Sequence, residues 1–331
     1  MSRGRVSESI CLFLALAAMS AMAQGATQAA AQAYPGKVVR IVVPASPGGA
    51  SDIVARVLAA GLATLLNQPF IVENRGGAAG LIGTQLVAQA TPDGHTLLVT
   101  FDSFGINPLL LKNLPYDTTR DFAPVMQVSR YPHALYVHSS LAVKTVKEFV
   151  ALARQKGAAM NLGSPGPASS NRLAFELFKD VAGIEMGTVH YKGGGPTRLA
   201  MISGEVQVML GSLGGIMQQN VKNGKLTVVG VSSLTRSPLH PELPTIAETY
   251  PGYETQSWVG MFAPAGIPRR IIGQLHATLV KILDGPGMKD RFEAMDGAEI
   301  VAGTPGALAQ RLREDQLKWG SLIRKQKITA D

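Results

Sequence analysis

Cysteine is all but missing. Cys11 is the one copy in 331 residues, and it sits inside the short apolar run at residues 10–19. Residues 1–33 read as an export signal. Arg3 and Arg5 form the basic n-region, residues 10–19 the apolar h-region, and Ala21-Met22-Ala23 and Ala31-Gln32-Ala33 two small-x-small sites, so cleavage falls after Ala23 or Ala33. Either cut removes the cysteine, which excludes disulfides and thiolate metal sites from the mature chain. Cys11 also comes too early for a lipoprotein anchor, where the cysteine follows the apolar run. Long apolar runs are missing as well, because a membrane helix needs roughly 20 such residues.

Familiar catalytic signatures are missing too. No serine is framed as G-x-S-x-G, and neither the P-loop pattern nor H-E-x-x-H occurs. Gly77, Gly80 and Gly83 are spaced glycines that do not match the dinucleotide fingerprint G-x-G-x-x-G. The six histidines, His95, His133, His138, His190, His240 and His276, never pair at metal-ligand spacing, and each reads as a surface or strand-end residue. The formal charge is +8, or +7 without Arg3, Arg5 and Glu8. The basic residues are scattered, apart from Arg324-Lys325-Gln326-Lys327, and are not interleaved with aromatics. That disfavours a nucleic-acid surface and leaves an anionic membrane or an anionic small solute as the partner.

What recurs instead is one phrase: a short β-branched strand, a Gly/Ser/Pro loop, then a helix. Its first copy, KVVRIVVPASPGGASDI, predicts a strand over 38–43, a loop over 44–49 and a helix from Ser51. The pattern returns at 70–89, 160–169, 188–203 and 206–221, while 107–125 reads as irregular and 134–138 as a strand. Such alternation predicts an α/β fold of mostly parallel sheets flanked by helices, with ligands held beyond the carboxyl ends of the strands. About 300 mature residues suggest two domains. The Pro-rich run at 237–244 and the turn at Pro251-Gly252 mark crossings, giving a discontinuous first lobe (34–133 plus 257–331) and a second lobe (134–256).

The loops carry the functional expectation. Residues 44–51 and 74–80 in one half, and 163–170 and 192–196 in the other, offer backbone N–H groups and helix starts suited to carboxylates. Asp52 reads first as a helix N-terminal acid that orders Gly48-Gly49. Glu73 and Arg75 read equally well as an ion pair or a site. Arg172 reads as a solvated first-turn arginine or a ligand contact, and Phe101, Phe104 and Trp258 as core or cleft-lining.

At this point VVRIVVPASPGGASDIVARVLA, FIVENRGGAAGLIG, ATPDGHTLLV, INPLLLKNLPYDTTRDFAPV, VHYKGGGPTRLAMISGEVQ and MFAPAGIPRRIIGQL resemble the Bug-type extracytoplasmic solute receptors of tripartite tricarboxylate transporters. The resemblance runs through nearly the whole mature chain in order. It implies a type II-like periplasmic-binding-protein fold, two α/β lobes closing on a ligand. It further implies a monomeric, non-enzymatic periplasmic receptor without cofactor, which delivers a mono- or dicarboxylate to a two-subunit membrane permease.

Carried over by position, the first-lobe contacts fall on Ser46, Pro47, Gly48, Gly49 and Asp52, on Gly77, Ala78 and Ala79, and on Asp102 and Ser103. The second-lobe contacts fall on Ser164, Ala168, Ser169 and Ser170, on Lys192, Gly193, Gly194 and Gly195, and on Gly211 and Ser212. Three departures from the family pattern stand out: Asn171-Arg172 in place of a histidine, Phe101-Asp102-Ser103-Phe104 in place of small residues, and Gly76 in place of a proline. They bear on which acid is bound. Asp102 is expected to repel a tricarboxylate and accept from a hydroxyl or ammonium, with Phe101 or Phe104 packing the ligand's body. The alternatives are a ligand-presenting adaptor for a membrane histidine kinase and an exported carboxylate-processing enzyme.

Overall fold

A mixed β-sheet forms the backbone of the molecule, in a computed structural model that describes residues 34–77, 80–237, 240–295 and 297–329. The proposed export signal, with both cleavage sites, lies outside the described residues, as do Ala78 and Ala79. Residues 34–37 hold no helix or strand. The described residues from Val38 onward group as one compact unit.

The strands are β1 (Val39–Val43), β2 (Phe70–Asn74), β3 (Thr96–Phe101), β4 (Phe122–His138), β5 (Asn161–Ser164), β6 (Gly187–His190), β7 (Val208–Ser212), β8 (Leu226–Val231), β9 (Gln256–Pro264) and β10 (Glu299–Ile300). The main helices are α1 (Ala50–Leu66), α2 (Leu81–Ala88), α3 (Ser103–Leu110), α4 (Val146–Lys156), α5 (Ser170–Ala182), α6 (Gly194–Ser203), α7 (Gly215–Lys222), α8 (Arg269–Leu283), α9 (Met288–Ala294) and α10 (Pro305–Gln326).

Strand order is β2-β1-β3-β9-β4-β7-β5-β6, with β8 and β10 also paired to β4. The strands fed by helical crossovers are parallel: β1 with β2 and β3, and β5 with β6 and β7. The middle is not, because β9 runs antiparallel to β3 and β4, and β4 antiparallel to β7 and β8. The expectation of mostly parallel sheets therefore holds for the outer strands and gives way to a mixed sheet where β4 and β9 cross.

β4 is also far longer than the strand expected at 134–138. Its first part pairs with β9 through Pro132↔Gln256, and its last part with β7 from His133↔Ser212. Pro124 and Pro132 hid it, since proline cannot donate to a ladder and ordinarily marks an edge or bulge. The register shifts between Pro124 and Met126, and again between Gln127 and Ser129, as bulges allow. The stretch expected to be irregular from Asn107 begins inside α3, which runs on to Leu110 with Pro108 inside it.

Apolar clusters among the described residues hold these layers. One gathers Phe104, Tyr116, Phe122, Trp258 and Phe262 with Leu308 and Leu312 of α10. A second gathers Phe149, Phe175, Phe178 and Tyr253 with Trp319, Leu322 and Ile323, farther along the same helix. A third packs Tyr136, Met201, Met209 and Met217. Each fully buried aromatic contributes about 1.5–3 kcal/mol of transfer free energy. α10 is thus pinned at both ends of its length. α1 shows the sequence logic: Val54, Val57, Leu58 and Leu62 recur on one face and are buried.

Candidate functional site

A cavity of about 650 Å³ lies where four helix starts meet the ends of the central strands. Gly49 and Ala50 contribute from the start of α1, Asp102 and Ser103 from α3, Ser169, Ser170 and Asn171 from α5, and Gly194 from α6. The strands supply Phe101, Tyr131, His133, Met209, Gly211, Ser212 and Ser257, and Arg198 projects from the second turn of α6. Neither α1 nor α6 has a side chain capping its first turn. Uncapped N–H groups and the positive ends of helix dipoles favour an anion by electrostatics alone. Arg198 adds a permanent charge and donates to Ser212 Oγ at 3.3 Å.

The first loop is built by Asp52. Gly48 adopts φ +81, a conformation glycine takes without penalty, and its N–H donates to Asp52 Oδ2 at 2.9 Å. Arg56 Nε donates to the same oxygen at 3.1 Å. Burial would raise the Asp52 carboxyl. Hydrogen bonds from Arg56, Gly48 and Asn74, with the Arg56 charge, outweigh it and hold the group below its ordinary value. Asp52 is therefore buried behind the loop and does not line the cavity.

The expected residues divide cleanly. Gly48, Gly49, Asp102, Ser103, Ser169, Ser170, Gly194, Gly211 and Ser212 line the cavity. Ser46, Pro47, Asp52, Gly77, Ser164, Ala168, Lys192, Gly193 and Gly195 are not among its lining. Ser46, Pro47, Gly77, Lys192 and Gly195 are exposed. Ser164 is buried and ties its own turn, donating to Gly166 O at 2.9 Å. Gly193 caps α6 and donates to Pro165 O at 2.9 Å, bracing one loop against the other. Gly211 and Ser212 end β7 rather than forming a loop.

Several other readings change. Phe101 lines the cavity, but Phe104 is core, 5.0 Å from Phe122 edge to face and 4.8 Å from Phe262. Trp258 is core too, donating to Asp315 Oδ2 at 2.6 Å. Arg172 is half-buried and does not line the cavity. Its Nη1 donates to the carbonyls of Pro167 and Thr329, both at 2.8 Å.

His133, expected at a surface or strand end, is 2% exposed. Its Nδ1 lies 3.1 Å from Thr255 Oγ1 and its Nε2 3.0 Å from Ser257 Oγ. Arg198 drew no notice in the sequence, although it stands one helical turn past Gly194 and hence on the same face. That spacing was the available signal.

Two buried groups at the cavity titrate abnormally. Burial, with help from the Asp315 charge and against hydrogen bonds from Ser257 and Ser170, pushes the Asp102 carboxyl up to about 7. Burial and the Lys318 charge push His133 down to about 4. Near neutrality His133 is thus uncharged and Asp102 is poised between its two forms.

Comparison with known proteins gives a consistent picture. The family model described as tripartite tricarboxylate transporter family receptor matches residues 54–328. Protein BugT of Bordetella pertussis is 29% identical over 98% of each chain. Among solved structures, a Rhodopseudomonas palustris protein with adipate is 31% identical, with TM-score 0.80, covering 89% of this chain and 99% of its own. MatC of the same organism, with bound malate, is 30% identical, with TM-score 0.75, covering 88% of this chain and 100% of its own.

Proposed function

The chain belongs to the tripartite tricarboxylate transporter receptor family, and from that premise we propose that it captures a small carboxylate-bearing acid in the cavity described above. In this reading the ligand's carboxylate lies against the helix starts at Gly49–Ala50 and Gly194, with Arg198 as its counter-charge. The observation that carries the reading is the convergence of four helix N-termini and one arginine on a single cavity. Each charge-assisted hydrogen bond contributes about 1.5–3 kcal/mol net. Four or five, less the cost of ordering the ligand, reach the roughly −8 kcal/mol of micromolar binding.

The reading extends to the whole chain. Residues 1–33 direct export and are removed, leaving a monomeric periplasmic receptor that binds without turnover. Residues 34–133 with 257–331 form one lobe and 134–256 the other. β4 and β9 cross between them as the hinge, and the closed form delivers its acid to a two-subunit permease. Support comes from β4 changing partners from β9 to β7 at Pro132–His133.

A thermal-shift screen of the exported protein against mono-, di- and tricarboxylates tests the proposal. A ligand at 100 times its dissociation constant adds about 2.7 kcal/mol of stability. Stabilisation by a small carboxylate, abolished in Arg198→Ala, is expected. A melting curve indifferent to every acid contradicts it.

A further inference from the structure

Phe101 is the part-exposed residue of a strand whose other five members are buried, and it lines the cavity. Its ring meets that of Tyr131 with centroids 6.0 Å apart and planes tilted by 41°, one of the inclined arrangements that aromatic pairs favour over a flat sandwich. Register explains the contact. Phe101 on β3 is opposite Val259 on β9, and Val259 and Ser257 of β9 are opposite Ser129 and Tyr131 of β4. Residues directly opposite, or two apart along a strand, share one face of a sheet. The two rings therefore stand on the same face, and the small side chain of Ser257 between them lets them meet. Ile53, at 38% exposed, adds a second open apolar surface to the same cavity. Met209 adds a thioether: a side chain at Gly211 would collide with Met209 Cε, so the glycine gives that methyl its place over the end of β7.

Charge, by contrast, is sparse. Among the described residues that line the cavity, Arg198 carries the one permanent positive charge and Asp102 is the one carboxyl. The uncapped starts of α1 and α6, with Arg198, make a place for one carboxylate. The other two helix starts suit a second carboxylate poorly. Ser169 Oγ accepts from Arg172 N–H at 3.3 Å and so caps α5. The N-cap of α3 is Asp102, an acid where a second carboxylate would need a donor. Ser170 and Asn171, the next residues of α5, have protein partners, Ser257 Oγ at 3.2 Å and Leu210 O at 2.9 Å.

We propose that the bound solute is an aromatic monocarboxylic acid, its carboxylate at Arg198 and the starts of α1 and α6, its ring against Phe101 and Tyr131. The proposal rests on the receptor reading for the carboxylate and adds the class of the solute's body. Size allows it. Roughly 150 Å³ of apolar cavity holds a benzene ring, and this cavity measures about 650 Å³, which leaves space for ring substituents or a short chain. The layout allows it too. β3, β9, β4 and β7 are successive strands, so the aromatic pair spans β3 to β4, and Ser212, which accepts from Arg198 at 3.3 Å, ends the next strand. An aromatic body covers the open surface of Phe101 and Ile53, which a short hydrophilic acid leaves wet. Thioethers such as that of Met209 also pack favourably against rings. Phe101 is then the specificity-determining residue, while Arg198 serves any carboxylate.

The test titrates two matched sets calorimetrically into the exported wild type, Phe101→Ala and Phe101→Leu. One set is benzoate, cyclohexanecarboxylate and butyrate; the other is 3-phenylpropionate, 3-cyclohexylpropionate and hexanoate. Adipate, malate and citrate complete the panel. In wild type at least one aryl acid is expected to bind about tenfold tighter than its acyclic partner and than each di- or tricarboxylate, the effect of burying a ring. It is expected to bind about two- to tenfold tighter than its cyclohexyl partner, because contact between rings adds to area alone. Phe101→Ala is expected to weaken the aryl acid about tenfold and to leave butyrate and hexanoate within about threefold. Phe101→Leu keeps an apolar filling, so it serves even where the alanine variant fails to fold. It is expected to lose the preference for aryl over cyclohexyl acids.

A di- or tricarboxylate that binds wild type tighter than every aryl acid overturns the proposal and leaves the receptor reading standing. Cyclohexyl acids that match their aryl partners in wild type overturn it too, as does an aryl affinity unchanged in both Phe101 variants. If no acid binds wild type, the receptor reading has failed and the proposal falls with it.

Discussion

The Asp52 carboxylate accepts from the Gly48 N–H at 2.9 Å and so ties the loop that opens onto the cavity to the helix that follows it. The same oxygen takes Arg56 Nε at 3.1 Å. Removing the carboxylate leaves both donors without it, which costs about 1–3 kcal/mol for a buried group. Asp52→Ala is expected to lower stability by that amount in urea titration and to weaken ligand binding by loosening Gly48 and Gly49. Because the folded Asp52 pKa lies below its ordinary 3.8, its stabilisation is present above that value and lost as pH falls through the lower folded pKa. A variant equal to wild type in both stability and binding contradicts this role.

Gly83 sets how closely α2 approaches the first loop. A Cβ there would stand 2.7 Å from the Arg75 carbonyl and 3.1 Å from Pro44 Cα, and both are backbone that cannot swing aside. Gly83→Ala is expected to destabilise by about 1–3 kcal/mol, as overpacking does, measured by the urea midpoint. Gly273→Ala, where a Cβ meets nothing within 4 Å, is the control expected to stay within about 1 kcal/mol of wild type on helix-propensity grounds.

Stability should carry opposite pH signatures from Asp102 and His133. The folded Asp102 pKa is raised from 3.8 to about 7. Its contribution is therefore full below pH 3.8 and lost as pH rises through about 7. The folded His133 pKa is lowered from 6.5 to about 4, so its contribution is full above 6.5 and lost as pH falls through about 4. Asp102→Asn removes the first dependence alone. The melting temperature of the variant minus that of wild type is expected to rise steadily from about pH 5 to about pH 8 by scanning fluorimetry. A flat difference contradicts the neutral buried carboxyl.

Much of this architecture is legible in the sequence, because one phrase repeats. Strands β1, β5 and β7 and the helices after them announce themselves through short runs that lead into Gly/Ser/Pro-rich stretches. The loops at 48–49, 102–103 and 169–170 can be located for the same reason. What stays hidden depends on long-range pairing. The length of β4 is masked by Pro124 and Pro132, and its ladder becomes evident only once β9, β7 and β8 lie beside it. His133 looks like a strand-end histidine until Thr255 and Ser257, more than 100 residues later, close around it. Phe104 and Arg172 are shown by their partners to serve packing and the chain terminus. Arg198 was reachable from the helical repeat after Gly194, but nothing local distinguishes it from any other exposed helix arginine.

The central claim is that this cavity holds a carboxylate against the helix starts and Arg198. Calorimetric titration of small organic acids into wild type and Arg198→Ala tests it most directly. At least one acid is expected to bind wild type at about micromolar affinity, with Arg198→Ala weaker by roughly ten- to a hundredfold, while both proteins melt within a few degrees of each other. Failure of every acid to bind, or equal affinity for the two proteins, contradicts it.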